Sequence, residues 1–168
     1  KRLAEELAAS LGRADLVILT GGLGPTCDDI TKIAAAEAFG VGLHFDESIR
    51  DDLVEFFAKI GRTMTDNNLS QAMVPDNGII FRNKWGTAPG LALEGEIDDV
   101  MKRAILLPGP PSECEPMFTE RVEPWLAARS GFTIFSLNLH LYGIGESGAE
   151  AILRPIMEES LNPTVAPY

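Results

Sequence analysis

The stretch "DLVILTGGLGPTCDDIT", residues 15–31, restricts the fold of this chain more than any other segment. An apolar run ends in a turn built on Gly21, Gly22 and Gly24, and helical spacing resumes directly afterwards. A short apolar run between helices is the pattern of a buried strand in a parallel sheet. Ahead of it, "KRLAEELAASLG" puts Leu3, Leu7 and Leu11 on one helical face, with Gly12 leading into the strand. Behind it, residues 28–39 have helical spacing through Ile30, Ile33, Ala34 and Ala38, and Gly40 is placed to stop the helix.

The rest of the chain continues the alternation. Residues 46–60 predict a helix with Ile49, Leu53, Phe56, Phe57 and Ile60 on its apolar face. Asn67 to Met73 predicts a short helix ended by Pro75, and Asp76-Asn77-Gly78 is a turn signal. Strands are expected at 79–81, 91–94 and 104–107, with the tight loop "GTAPG" at 86–90 and "PGPP" at 108–111 between or after them. A helix follows over about 112–128, limited near its start by Pro116. Residues 132–141 alternate, with Phe135, Leu137, Leu139 and Leu141 on one face, and predict a long strand. A last helix is expected near 147–161. Strands spaced by helices predict an α/β fold, a three-layer sandwich. One domain is expected over 1–161 and an exit linker over 162–168, where Pro163 and Pro167 break regular structure. A fragment that enters its fold mid-helix is also expected. Such a fragment exposes a sheet edge, which a homodimer is expected to cover.

Charge narrows the partners. The formal net charge is −11, so no global attraction draws the chain to nucleic acid or to an anionic membrane. An anionic small molecule then requires local donors or a metal. Cys27 and Cys114 have no zinc-like spacing, and the low cysteine count points to a reducing compartment, the cytoplasm. His44 and His140 are too few for a histidine-based zinc site.

The glycine turn admits two readings. Helix N-terminal amides point outward and glycine allows a ligand close to the backbone, so Gly21, Gly22 and Gly24 can form an anion site. Alternatively they make only a tight strand–helix turn. Asp28 and Asp29 divide in the same way. Thr26 and Asp29 fit a capping box, with Asp28 at the second helical position, where the helix dipole favours a carboxylate. The other reading makes them metal ligands that reverse the local charge. Thr87 and Ser112 can offer hydroxyls to a phosphate, while Ser112 can equally cap its helix.

Five ordered motifs, "TGGLGPTCDDIT", "MTDNNLSQAMVPDN", "GTAPG", "LPGPPSECEPMF" and "LHLYGIGES", carry a resemblance over nearly the whole chain. Together they resemble the N-terminal domain of the CinA-like competence/damage-inducible proteins, within the wider MoaB/Mog molybdopterin-binding family. That resemblance implies a three-layer sandwich around a mainly parallel sheet and a cleft for a pterin or a nucleotide diphosphate. It implies hydrolysis of ADP-ribose to AMP and ribose 5-phosphate, assisted by a divalent metal such as magnesium, in a parent with a second domain. Gly21, Gly22 and Gly24 match the family's phosphate-facing loop, Asp28 and Asp29 its acidic pair, and Thr31 the hydroxyl one turn on. Gly86, Thr87 and Gly90 match its second ligand loop. Gly109 matches the third, with Ser112 and Glu113 entering the helix.

The chain departs from the family pattern where Lys84 replaces a proline beside Asn83 and Trp85 a small aliphatic residue. Asn83 and Lys84 are counted with the ligand set; Lys84 can pair with a phosphate or be a solvated charge. Two alternatives to the enzyme stay open: a molybdopterin- or nucleotide-binding module without turnover, and a structural or oligomerising domain.

Overall fold

The computed structural model describes residues 2–131 and 134–167. The chain forms two compact units, Lys1–Gly131 and Phe132–Tyr168. The first opens with α1 (Arg2–Arg13), β1 (Leu16–Thr20) and α2 (Thr31–Ala38). β2 (Leu43–Phe45), α3 (Glu47–Lys59), a 3-10 helix (Asp66–Ala72), β3 (Met73–Pro75) and β4 (Ile79–Phe81) follow. β5 (Gly90–Ile97) and β6 (Val100–Leu107) lead into α4 (Pro111–Met117), a π-helical turn (Phe118–Val122) and α5 (Glu123–Ala127). The π turn comes directly after Pro116, which has no N–H for the helical ladder.

The main sheet has the order β1-β6-β5-β4. The α/β class stands and the sheet is mixed: β1 runs parallel to β6, while β6–β5 and β5–β4 are antiparallel. The β5–β6 hairpin turns on Asp98 and Asp99, with φ of 51° and 61°, the left-handed pair of a two-residue primed turn. Aspartate tolerates that region better than most residues, but "EIDDVM" carries no glycine to announce it. β2 and β3 form a separate two-stranded antiparallel sheet that the sequence did not suggest, because each strand is only three residues long.

Alternate residues of the hairpin point to opposite faces, which makes the fold three-layered. Leu91, Leu93 and Leu106 pack with Leu7 and Leu11 of α1 and Ala35 of α2. Ala92, Ile105 and Leu107 pack with Phe81, Met117 and Val122 on the other side. Burial on both faces explains the unbroken "AILL" of β6. β1 is less buried than expected: it lies at the end of the strand order, and Ile18 is 43% exposed.

α2 differs from its expected span and face. It starts at Thr31 rather than at 28, because Thr26 and Asp29 close a separate turn ahead of it. Its buried side is Thr31, Lys32, Ala34, Ala35 and Ala36, while Ile33 is exposed. Small alanines let the helix approach its neighbours closely, which the larger isoleucines would prevent. Gly40 does end it, at φ +65°. α3 is capped by Asp46, whose Oδ1 accepts from the backbone N–H groups of Ser48 (2.8 Å) and Ile49 (3.0 Å).

The second unit contains α6 (Glu146–Glu159). The expected strand over 132–141 is not found: Phe132 and Thr133 lie outside the described residues, and residues 134–141 have no regular structure. Phe135 and Leu137 are 91% and 81% exposed. Alternation alone does not make a strand; a hydrogen-bonded neighbour is required, and this unit supplies none among its described residues. No helix of the described residues is long and apolar enough to cross a membrane.

Candidate functional site

The strand directions bring the three glycine–proline loops to one end of the sheet. β1 and β6 are parallel, so the turn after Thr20 and the loop after Leu107 leave from the same edge. β5 runs the other way, with Leu91 opposite Leu106, so the loop preceding Gly90 arrives there too. The three loops line one cavity of about 260 Å³. Its walls are Gly21, Gly22, Leu23, Gly24, Pro25 and Asp29 from the first loop, Thr87 and Ala88 from the second, and Pro108, Gly109, Pro110 and Glu113 from the third, joined by Gln71.

Backbone proximity dictates the glycines. The Gly21 N–H donates to Leu107 O at 2.8 Å, extending the β1–β6 ladder by one bond. A side chain at Gly109 would bring a Cβ to 3.3 Å from Gly21 Cα, so the first and third loops touch through bare backbone. Gly22 has φ +69°, and a Cβ there would lie 2.1 Å from Thr31 Oγ1. That hydroxyl donates to Gly21 O at 2.9 Å, and the Thr31 N–H donates to Gly22 O at 3.2 Å. Thr31 therefore clamps the turn from beneath.

Asp29 Oδ2 accepts from Thr26 N at 2.8 Å and from Thr26 Oγ1 at 2.7 Å. Only half of the expected capping box forms: the Asp29 N–H donates to Thr26 O rather than to the Thr26 hydroxyl, and the pair closes a turn rather than starting a helix. Burial pushes the Asp29 carboxyl up, but the Thr26 hydrogen bonds, the Gly24 backbone and the charge of Lys32 together hold it below the usual carboxylate range. Lys32 is buried and donates to Ser70 O at 2.7 Å. Burial lowers its ammonium to about 8, against the opposing pull of Asp29.

The second and third loops are joined by Asn83. Its Nδ2 donates to Glu113 Oε2 at 2.7 Å and to Ala88 O at 2.8 Å, while its Oδ1 accepts from the backbone N–H groups of Trp85 and Gly86. A Cβ on Gly86 would lie 1.9 Å from Glu113 Oε2, so that glycine makes room for the carboxylate.

Of the residues singled out in the sequence, Gly21, Gly22, Gly24, Asp29, Thr87 and Gly109 line the cavity. Asn83, Gly86 and Thr31 brace it from behind. Asp28, Lys84 and Ser112 are exposed and are not part of its lining. Gly90 serves packing, since a Cβ there would lie 2.4 Å from Met117 Sδ. Gln71 and Glu113 are cavity residues to which the sequence reading gave no role of their own. The signal for Gln71 was a polar residue inside "NNLSQAM" at a position that the helix buries, 1% exposed. His44 lies outside the site, with Nδ1 2.8 Å from Asp76 Oδ1.

The chemistry of the lining is uneven. It offers backbone amides, a hydroxyl, a carboxamide and two carboxylates, and no lysine, arginine or histidine is among its described residues. No group of three or more His, Cys, Asp or Glu side chains converges among the described residues. Magnesium needs fewer, taking one or two carboxylates, several waters and substrate phosphates, so Asp29 and Glu113 suit it in donor type.

Residues 1–128 match the family model described as "Probable molybdopterin binding domain". The chain is 46% identical over 168 residues to a protein of Clostridium acetobutylicum named as competence-damage inducible, covering all of this chain and 40% of that one. It is also 46% identical over 167 residues to a protein of the same name from Thermoanaerobacter pseudethanolicus, covering 99% of this chain and 39% of that one. The chain thus spans about 40% of the length of the curated relatives it matches. The solved structure of CinA from Thermoplasma acidophilum, a protein of unknown function, superimposes with a TM-score of 0.60 at 32% identity, covering 73% of this chain and 70% of that one.

Proposed function

The chain belongs to the family described as "Probable molybdopterin binding domain", and we propose that its glycine-loop cavity binds a nucleotide diphosphate and hydrolyses it. The substrate in this reading is ADP-ribose, cleaved to AMP and ribose 5-phosphate. The observation that carries it is the composition of the cavity: two carboxylates beside glycine backbone, with no cationic side chain among the described lining residues. Such a lining repels a bare diphosphate and accepts one that arrives with a divalent cation.

In this reading Asp29 and Glu113 hold magnesium through oxygen ligands. When bound, the ion neutralises the diphosphate and polarises a phosphoryl oxygen. The chain's own groups supply position. With the Gly21 N–H bonded to Leu107 O and the Gly24 backbone to Asp29, Gly22 is the glycine of this turn whose amide stays open to phosphate oxygens, with no Cβ to screen it. Asn83 holds Glu113 through Oε2. Glu113 Oε1 has no hydrogen bond among the described residues and is available to accept the proton of the attacking water. The water oxygen bonds to one phosphorus, the bridging P–O bond breaks, and the water's protons pass to the products or to solvent.

AMP release from ADP-ribose, measured with and without magnesium, tests this. Asp29→Asn and Glu113→Gln are each expected to lower the rate by about a hundredfold or more, the scale of a lost metal ligand or proton acceptor. Asp28 is exposed on the same turn, and Asp28→Asn measures whether that second carboxylate adds to the metal site. Rates unchanged in Asp29→Asn and Glu113→Gln reject the mechanism. Pterin binding that is independent of magnesium, with no AMP formed, favours a cofactor-binding module instead. That second reading is supported by the lack of a nucleophile–base pair among the described lining residues.

A further inference from the structure

A line of buried side-chain hydrogen bonds ends at the cavity wall, and its direction can be read from one end. The backbone N–H of Thr65 can only donate. It lies 3.1 Å from Asn68 Oδ1, which fixes that atom as the carboxamide oxygen. Asn68 Nδ2 must then donate to the next group, Gln71 Oε1, at 3.3 Å. That choice leaves Gln71 Nε2 to donate to Thr87 Oγ1 at 2.9 Å. Asn68 and Gln71 are 8% and 1% exposed, so no bulk water competes for these groups or reverses them. A hydroxyl has one hydrogen to give. With one of its two lone pairs taken by Gln71, Thr87 keeps that hydrogen, and it donates it to no acceptor among the described residues. Both Gln71 and Thr87 line the cavity.

We propose that Asn68 and Gln71 are positioning residues that hold one lone pair of Thr87 Oγ1 and leave its hydroxyl hydrogen for an acceptor oxygen of the bound ligand, favouring a phosphate oxygen over an N–H group at that point. The inference rests on the nucleotide-diphosphate reading for the identity of that oxygen, and on the hydrogen-bond geometry alone for its direction. Lys32 contributes by tying Ser70 O, next to Gln71, to α2 at 2.7 Å, so the segment carrying the relay cannot slide along the cavity wall. Discrimination follows from the cost of an unmet partner. A ligand acceptor here receives the free hydrogen, whereas a ligand donor can use only the remaining lone pair and leaves that hydrogen without a partner in the cavity.

The test uses the whole 168-residue chain and calorimetric titration of ADP-ribose with magnesium. Thr87→Val keeps the shape and removes the hydroxyl; it is expected to weaken binding about tenfold, the scale of one lost hydrogen bond to a charged group. Thr87→Ser restores the hydroxyl and is expected to bind within about twofold of wild type. Gln71→Met frees the hydroxyl to rotate and is expected to weaken binding by about threefold to fivefold. Added to Thr87→Val, it is expected to cost nothing more, because the relay then has nothing left to direct. Wild-type binding with no loss in Thr87→Val, or full additivity of the two changes, overturns the relay while leaving the diphosphate reading in place.

If the wild-type chain binds no ADP-ribose, the diphosphate reading falls, and the free chain decides the relay. The two Gln71 side-chain amide protons are expected to exchange with water at unequal rates by NMR. That inequality should disappear in Thr87→Val and persist in Thr87→Ser. Equal exchange in the wild-type chain refutes the relay.

Discussion

Replacing Gly22 with alanine probes the joint on which the cavity depends. Two separable costs are visible. Gly22 has φ +69°, a left-handed conformation that costs an L-residue about 1–2 kcal/mol. The added Cβ would also lie 2.1 Å from Thr31 Oγ1, so the Thr31 side chain must turn away and give up its 2.9 Å bond to Gly21 O. A part-buried hydrogen bond contributes about 1 kcal/mol. The expected total is about 2–3 kcal/mol. Gly40 supplies the control: its φ is +65°, and a Cβ there meets nothing within 4 Å. Gly40→Ala should therefore cost only the backbone share, about 1 kcal/mol or slightly more. Urea unfolding followed by tryptophan fluorescence measures both, because Trp85 and Trp125 belong to the first unit. With a slope of about 1.5–2 kcal/mol per molar urea, the two midpoints should differ by about 0.5–1 M. Adding Thr31→Ala to Gly22→Ala should cost about 1 kcal/mol less than the two single changes summed, since the hydroxyl that collides is already gone. Equal midpoints for Gly22→Ala and Gly40→Ala, or strict additivity with Thr31→Ala, would falsify the claim that Thr31 clamps this turn.

Two further outcomes are expected. Lys32 has its folded pKa lowered from 10.5 to about 8, so between these values the unfolded chain binds more protons than the folded one, and this group adds stability as pH rises through that window. The gain is at most about 3 kcal/mol, and a Lys32→Met chain should lack it; matching pH slopes for the two chains between pH 8 and 10.5 reject the burial assignment. Asp46→Ala removes the acceptor for the Ser48 and Ile49 amides and should destabilise α3 by about 1 kcal/mol at neutral pH. Because hydrogen bonds from Ser48, which outweigh burial, hold the Asp46 carboxyl below its usual range, the cap is present above that range and lost as pH falls through the lowered pKa; a wild-type–mutant gap that does not shrink in acid counts against it.

The sequence by itself determined the local units. Leu7 and Leu11 recur at helical spacing, "AILL" is apolar throughout, and Gly40 ends the helix that precedes it, because these signals act within a few residues and need no partner. The glycine loops and the family were legible for the same reason: each motif is a short, ordered string. What the sequence could not supply was direction and pairing. The parallel β1–β6 pair and the reversed β5 bring the three loops together, and the β1–β6 register is a contact between residues nearly ninety positions apart, as between Leu16 and Arg103. The α2 face turned away from its isoleucines because packing space favoured the alanines, and the alternating residues 134–141 took no strand because alternation specifies a face and not a neighbour. Gln71 was hidden in the same way. A glutamine becomes a site residue only when burial removes water from it and a second loop brings Thr87 within 2.9 Å, and both conditions belong to the tertiary structure.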